Sequence, residues 1–342
     1  MKEYPWQRRV GGDRNRYSHR GGVSVGTVVL IVLALAVLTL MTFLVVRFIT
    51  GDEGFPDFDG RDPSVITLCG EKYRFKSGVE TYLLLGLDKF GEAESSDSYN
   101  NKEQSDFILL LVADRVSRKW TLLHLNRDTM TEVDILGLNG QVASTDTMQL
   151  ALAHTYGDGG RESCQNAKRA ISRLLYGVGI DHYVSLKMDA VMAINDYVGG
   201  VTVTLEEDLS DIDPRLTSGE VTLDGELALK YVRVRYGLED SSNLSRMIRQ
   251  KNYLSALLTT ISNQTIDTKF INGAYSAIES YSVSDSASAM EDLLEVLSDY
   301  EYQGIYSPTG KEQMGEEFIE YYVDIESLEA LVRDLFCEPY RK

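Results

Sequence analysis

Apolar positions fall into three kinds of run along this 342-residue chain. The first is one uninterrupted stretch, residues 21–46 (GGVSVGTVVLIVLALAVLTLMTFLVV), which holds no charged residue. The second is a set of short, nearly continuous runs: VETYLLLGL (Val79–Leu87), FILLLVA (Phe107–Ala113) and WTLLHL (Trp120–Leu125). Runs that are apolar on both sides suit strands at the centre of a sheet covered on both faces. HYVSLK and EFIEYYV read as further strands, and GGVTVTLEE as a turn followed by an alternating one. The third kind repeats apolar residues at three and four, the spacing of one helix face. It covers TMQLALAHTY, SCQNAKRAISRLLYG (stopping at Gly177), MDAVMAINDYV, TLDGELALKY (capped by Asp224), SSNLSRMIRQKNYLSALLTTI, ASAMEDLLEVLSDY and DIESLEALVRDLF. Strands and helices interleave throughout, which predicts an α/β fold with a mixed central sheet between helical layers.

Between Val23 and Val46 the first run offers 24 residues. As a helix it would measure roughly 36 Å, enough to cross a bilayer core of about 30 Å. It is longer than a signal-peptide core and is followed by Arg47-Phe48 with no small-residue cleavage site, so the expectation is a retained anchor. The residues before it carry six basic and two acidic side chains, a net of +4, while the rest of the chain carries 28 basic against 50 acidic. Positive charge marks the cytoplasmic side. The predicted organisation is therefore a cytoplasmic arm (1–22), a transmembrane helix (23–46), a Gly- and Asp-rich linker (47–78) and an outside domain (79–337), with its core at 79–262 and a C-terminal completion at 263–337. The implied location is the cell membrane, single-pass, with the main domain outside.

An outer domain this acidic attracts neither nucleic acid nor an anionic membrane surface. The three cysteines, Cys69, Cys164 and Cys337, allow at most one internal disulfide, and no spacing suggests zinc. The four histidines, His19, His124, His154 and His182, are scattered.

Against that background, YVRVRY (Tyr231–Tyr236) and SRMIRQ place Arg233, Arg235, Arg246 and Arg249 in one short stretch. Read as extended, Arg233 and Arg235 point to the same side. Arg246 and Arg249, three apart, share a face near the start of a helix that Ser242 or Asn243 would cap. Guanidinium forks fit phosphate oxygens, and helix N-termini favour anions, so the stretch predicts a pocket for a multiply charged anion. Arg127 and Asp128 follow the strand WTLLHL directly, and sites collect at strand ends in α/β sheets. Asp88 closes one strand and Asp106 opens the next; antiparallel pairing would bring them together as a seat for magnesium beside a diphosphate.

These residues sit in motifs that resemble the LytR-CpsA-Psr family of bacterial envelope proteins: LLLGLD, QSDFILLLVAD, LHLNRDT, AHTYGDGG, IDHYVSLKMDAV, DYVGGVTVTL and LDGELALKYVRVRYGLEDSSNLSRMIRQ, in that order, over about 79–262. The resemblance implies a phosphotransferase that takes a glycopolymer from a polyisoprenyl-diphosphate carrier and attaches it to peptidoglycan, with the lipid tail in an apolar tunnel between sheet and helices. It implies Asp88 and Asp106 as magnesium ligands, and Arg127, Arg233, Arg235 and Arg246, with Arg249 and Asn243 beside them, as the substrate clamp. Asp128 completes the family's Arg-Asp pair, and Asp88, Asp106, Arg127, Asp128, Arg233, Arg235 and Arg246 are the implied catalytic set.

The chain departs from that pattern at three places. Asn243 stands where the family carries Asp; Asp240 is nearby, six residues before Arg246. His124-Leu125-Asn126 replaces Ser-Ile-Pro, and Lys89-Phe90 replaces a small polar residue often followed by arginine. An asparagine hydrogen-bonds but is no general base. Two alternatives to a transferase therefore stand: a lipid-diphosphate-binding scaffold or regulator of envelope assembly, and a polyisoprenyl-diphosphate hydrolase.

Overall fold

The computed structural model describes residues 65–93, 101–137, 139–234, 243–265, 268–285 and 300–340. The expected membrane helix, Arg235 and nearly all of ASAMEDLLEVLSDY lie outside them. Among the described residues no helix is long and apolar enough to cross a membrane.

In chain order the strands are β1 (Val65–Leu68), β2 (Glu71–Phe75), β3 (Val79–Leu87), β4 (Ser105–Asp114), β5 (Lys119–Leu125), β6 (Met130–Leu136), β7 (Val142–Gln149), β8 (His182–Leu186), β9 (Val201–Leu205), β10 (Gly219–Leu223), β11 (Ser282–Ser284), β12 (Glu301–Tyr306), β13 (Gly310–Met314), β14 (Ile319–Val323) and β15 (Cys337–Pro339). The helices are α1 (Arg161–Leu174), α2 (Met188–Tyr197), α3 (Gly225–Arg233), α4 (Asn243–Ser262), α5 (Thr268–Ile278) and α6 (Ile325–Phe336). Six strands form the central sheet in the order β11-β8-β3-β4-β5-β12. It is mixed: β3–β4 and β4–β5 pair antiparallel, β3–β8 and β5–β12 parallel.

The continuous apolar strands do what their pattern predicts. Alternate residues go to opposite faces. Tyr82, Leu84, Leu109, Leu111 and Leu122 enter a core with Leu227, Leu254, Leu257 and Ala274 from α3, α4 and α5. Leu83, Leu85, Leu110 and Leu123 enter a second core with Ala167 and Ile171 of α1 and Leu328 and Val332 of α6. The sheet thus lies between two helical layers.

Three local expectations are corrected. TMQLALAHTY is not a helix: Thr147–Gln149 finish β7, paired with β6, and only Leu150–Ala153 turn, as one 3-10 helix. A short apolar run has no period long enough to choose between strand and helix, and the β6 partner decides it. Residues 65–75 are not linker, because β1 and β2 form a three-stranded sheet with β15. Third, Arg233 is not extended: the helix capped by Asp224, whose Oδ1 accepts from the Leu227 N–H, runs on through Val232 and Arg233.

Candidate functional site

The site begins with an irregularity in the central hairpin. Gly86 pairs with Phe107, but Leu87 pairs with Ser105, leaving Asp106 as the extra residue of a β-bulge. Position 86 has to be glycine for this approach, since a Cβ there would lie 2.9 Å from the Phe107 Cβ. The Asp88 N–H then donates to the Gln104 carbonyl at 2.9 Å, holding the two chains together past the ladder. Asp88 and Asp106 are in this way delivered to one corner of the sheet.

Three arginines reach that corner from three elements. Arg127, in the turn after β5, donates through Nη1 to Asp106 Oδ1 and through Nε to Asp128 Oδ1 at 3.0 Å. Arg246, in the first turn of α4, donates through Nη1 to the other oxygen, Asp106 Oδ2, at 2.8 Å. Arg233, the last residue of α3, donates to Asp88 Oδ1 at 2.9 Å, and its guanidinium lies 5.6 Å from the Phe90 ring centroid. The two halves differ in solvent access. The Asp106 centre is sealed, with side-chain exposures of 13%, 10% and 3% for Asp106, Arg127 and Arg246; Asp88 and Arg233 are about half open. A buried pair is held rigidly, whereas an exposed one exchanges readily for another ion.

The other expected residues take supporting places. Arg249 does not join the clamp. It is buried, pairs with Glu207 at 2.6 Å and donates to the Val234 carbonyl at 2.8 Å, bracing the chain directly after Arg233. Asp128 is buried under the turn; its Oδ1 also accepts from Gln149 Nε2 at 3.0 Å, and its Oδ2 has no hydrogen-bond partner among the described residues. Asn243 opens α4 and donates to Asn126 Oδ1. Lys89 turns away from the site to Glu103 at 2.6 Å. Burial and then the charges of Arg246 and Lys251 push the His124 pKa down to about 3, so this histidine is neutral.

Gln149, Asn126 as a partner of Asn243, and β13 of the C-terminal hairpin went unread, as did the place beneath Asp128 of its other strand, β14, the strand expected at EFIEYYV. Gln149 Nε2 donates to the Ile319 carbonyl at 2.7 Å, and the Tyr321 N–H donates to the Asp128 carbonyl at 2.9 Å, so this distant hairpin underpins Asp128. Gln149 sat in a run mistaken for helix, and no local pattern ties residue 319 to residue 149. Asn126 did signal itself, as a departure from the resembled motif.

The profile of the LytR_cpsA_psr family matches residues 68–333. The chain belongs to that family. Among proteins of known name it is similar to Biofilm regulatory protein A of Streptococcus mutans serotype c, 29% identical over 189 residues, covering 52% of this chain and 43% of that one. It is similar also to the polyisoprenyl-teichoic acid–peptidoglycan teichoic acid transferase TagU of Enterococcus faecalis, 28% identical over 179 residues and covering 52% of each. The chain thus spans about half the length of the curated relatives it matches. A solved structure described as TagT bound to LIIa-WTA shares the fold, with a TM-score of 0.57 at 20% identity over 83% of this chain and 95% of that one.

Proposed function

We propose that this family member is a phosphotransferase that moves a glycopolymer from a polyisoprenyl-diphosphate carrier to peptidoglycan. The observation that carries the reading is the convergence of Arg127 and Arg246 on Asp106, with the Arg233–Asp88 pair beside it. Three guanidiniums in one corner would form a clamp for a diphosphate, whose oxygens would accept from them beside the carboxylates that orient them. The name of TagU supports the same substrate class.

Phosphoryl transfer asks the protein to align and neutralise charge rather than to supply covalent chemistry. Arg127 and Arg246, locked by Asp106, would hold the diphosphate in register, and Arg233, on the open side, would follow charge onto the leaving group. A peptidoglycan hydroxyl oxygen bonds to the phosphorus that bears the glycopolymer; the bond from that phosphorus to the bridging oxygen breaks, and polyisoprenyl phosphate leaves with the electron pair. The hydroxyl proton passes to water, since Asp88 is engaged by Arg233 and is proposed to hold magnesium. Magnesium fits this donor set as an ion bound together with its substrate. Among the described residues no group of three or more His, Cys, Asp or Glu side chains is placed to cage an ion. Magnesium, however, takes one or two carboxylates and completes its shell with phosphate and water. Asp88 and Asp106 would hold it, and it would supply further neutralisation of the diphosphate. The lipid tail is assigned to the apolar layer between the sheet and α3–α4, beside Arg233.

Residues 23–46 are proposed as a retained membrane anchor with the folded domain outside. Protease added to intact protoplasts should then digest the domain and spare the first 22 residues. The activity test incubates full-length protein in detergent with a polyisoprenyl-diphosphate-linked glycopolymer, magnesium and peptidoglycan. Polymer joined to peptidoglycan with release of polyisoprenyl phosphate is the expected outcome. Release into water instead would identify a hydrolase, and binding without product a scaffold or regulator.

A further inference from the structure

Two of the departures from the resembled pattern, Asn126 and Asn243, meet in the structure. Asn126 lies just before Arg127 and Asn243 opens α4; both are sealed, at 2% and 1% exposure. The Asp128 main-chain N–H donates to Asn126 Oδ1 at 2.9 Å. A main-chain N–H is a donor only, so this contact fixes the orientation of the Asn126 amide, with oxygen toward the turn. Asn243 Nδ2 donates to the same oxygen. Position 243 therefore has to present a donor, and a carboxylate there would set acceptor against acceptor in a buried place.

We propose that Asn243 is a positioning residue: it clips the N-terminus of α4 to the Arg127–Asp128 turn, and its amide donor, not its size, is what the clip requires. The consequence reaches the clamp through the chain. Arg127 follows Asn126 and Arg246 lies one turn after Asn243, and both end on Asp106. The clip thus sets the spacing between the two guanidiniums. The asparagine at 243 is matched by the asparagine at 126, and its role is neither base nor metal ligand. The functional part of this inference rests on the diphosphate reading above; the structural part does not.

Two substitutions of equal size separate direction from volume. Asn126→Asp leaves an acceptor facing both donors, whereas Asn243→Asp removes the donor. Full-length protein in detergent, with magnesium chloride and geranylgeranyl diphosphate as the probe, is titrated from pH 8 to pH 5.5. Asn126→Asp should stay within about threefold of the wild type, and Asn243→Asp should bind on the order of tenfold more weakly at pH 8. As the pH falls, a protonated carboxyl at 243 can donate again, so Asn243→Asp should recover; Asn243→Leu should stay weak throughout. Asp128, Arg127 and Arg246, the charged groups around the clip, are common to all the proteins, so the ratio to wild type reports the substituted position. Melting temperatures without probe give the same comparison independently of any ligand: Asn243→Asp should melt below Asn126→Asp at pH 8, with the gap closing at pH 5.5. If the wild type does not bind the probe, the transferase reading loses its donor while the melting gap still decides the clip. Equal effects of the two Asp variants, or an Asn243→Asp deficit that does not change with pH, would overturn it.

Discussion

Asp106→Asn removes the charge on which two buried guanidiniums converge. The amide keeps one carbonyl oxygen, so one arginine retains an acceptor; Arg127 keeps Asp128 as a counter-charge, whereas Arg246 loses the charge of Asp106. Exposures of 13%, 10% and 3% at Asp106, Arg127 and Arg246 leave little solvent to compensate. Breaking a buried pair by removing one partner costs about 3–5 kcal/mol, and the retained oxygen puts this change near the low end, about 3 kcal/mol. In a domain of this size each kcal/mol moves the melting temperature by about 2–4 °C, so the variant should melt roughly 6–12 °C below wild type. A second arm tests the clamp itself. With EDTA present, inorganic pyrophosphate should stabilise the variant more than the wild type, because it supplies the missing negative charge. If it binds the variant about tenfold tighter, the additional gain is about 1.4 kcal/mol, or roughly 3–6 °C. The assay is differential scanning fluorimetry over a pyrophosphate series. Unchanged melting in Asp106→Asn, or a pyrophosphate gain in wild type as large as in the variant, would refute the convergence as the basis of anion binding.

Gln149→Leu deletes the hydrogen bonds to Asp128 and Ile319; it should destabilise by about 1–3 kcal/mol and speed amide exchange at Tyr321, measured by hydrogen–deuterium exchange. His182, far from the site at the start of β8, faces Asp285 and Glu80 at 3.8 and 3.6 Å. Burial opposes its charge, but the two carboxylates outweigh burial and raise its pKa to about 9. Its stabilising contribution is therefore complete below the unfolded value of about 6.5 and is lost as pH rises through about 9; a denaturant titration of His182→Gln should lack the on-the-order-of 1–3 kcal/mol decline that the wild type shows across that window. The described cysteines are all free: Cys69 is exposed, whereas Cys164 and Cys337 are buried and burial pushes their thiols up to about 12 and about 11. A thiol reagent should thus titrate one cysteine in the native protein and three after unfolding, with or without prior reduction.

The central hairpin was legible because its strands are apolar on both faces, a pattern that few other structures satisfy. Asp88 and Asp106 were legible as neighbours because antiparallel pairing follows from two adjacent strands and a loop. The bulge that aims Asp106 was not, since it depends on a slip between Gly86 and Leu87 that no residue type announces. Arg233 reached its place by a route other than the expected one. Its helix continues past Lys230, and the side chain meets Asp88 from a helix end instead of from an extended segment. Arg249 shows the limit of helical spacing: it lies three residues from Arg246 on the same broad face, yet the roughly 60° between positions three apart is enough to send it to Glu207 and Val234. The strand EFIEYYV was legible as β14, but its place beneath Asp128 was not, because its contacts there span about 170 to 190 positions, and long-range pairing leaves no local mark.

The small sheet β1-β2-β15 has a consequence for how the fold can be attached to anything else. Arg74 of β2 pairs with Val65 on one side and with Glu338 on the other. With strands about 4.8 Å apart, the first and last strands of the described fold lie about 10 Å from each other, separated by a single backbone. That corner adjoins the start of β3, while Asp88 follows its far end, nine residues on, roughly 27 Å away at about 3.0–3.4 Å per residue. Both ends of the described fold therefore lie at one corner, away from Asp88. A tether on either end leaves the Asp88 end of the sheet unobstructed, and because β1 and β15 run parallel on either side of β2, a linker of about a dozen residues between Pro339 and Val65 should yield a circular permutant that keeps the Asp88–Asp106 corner.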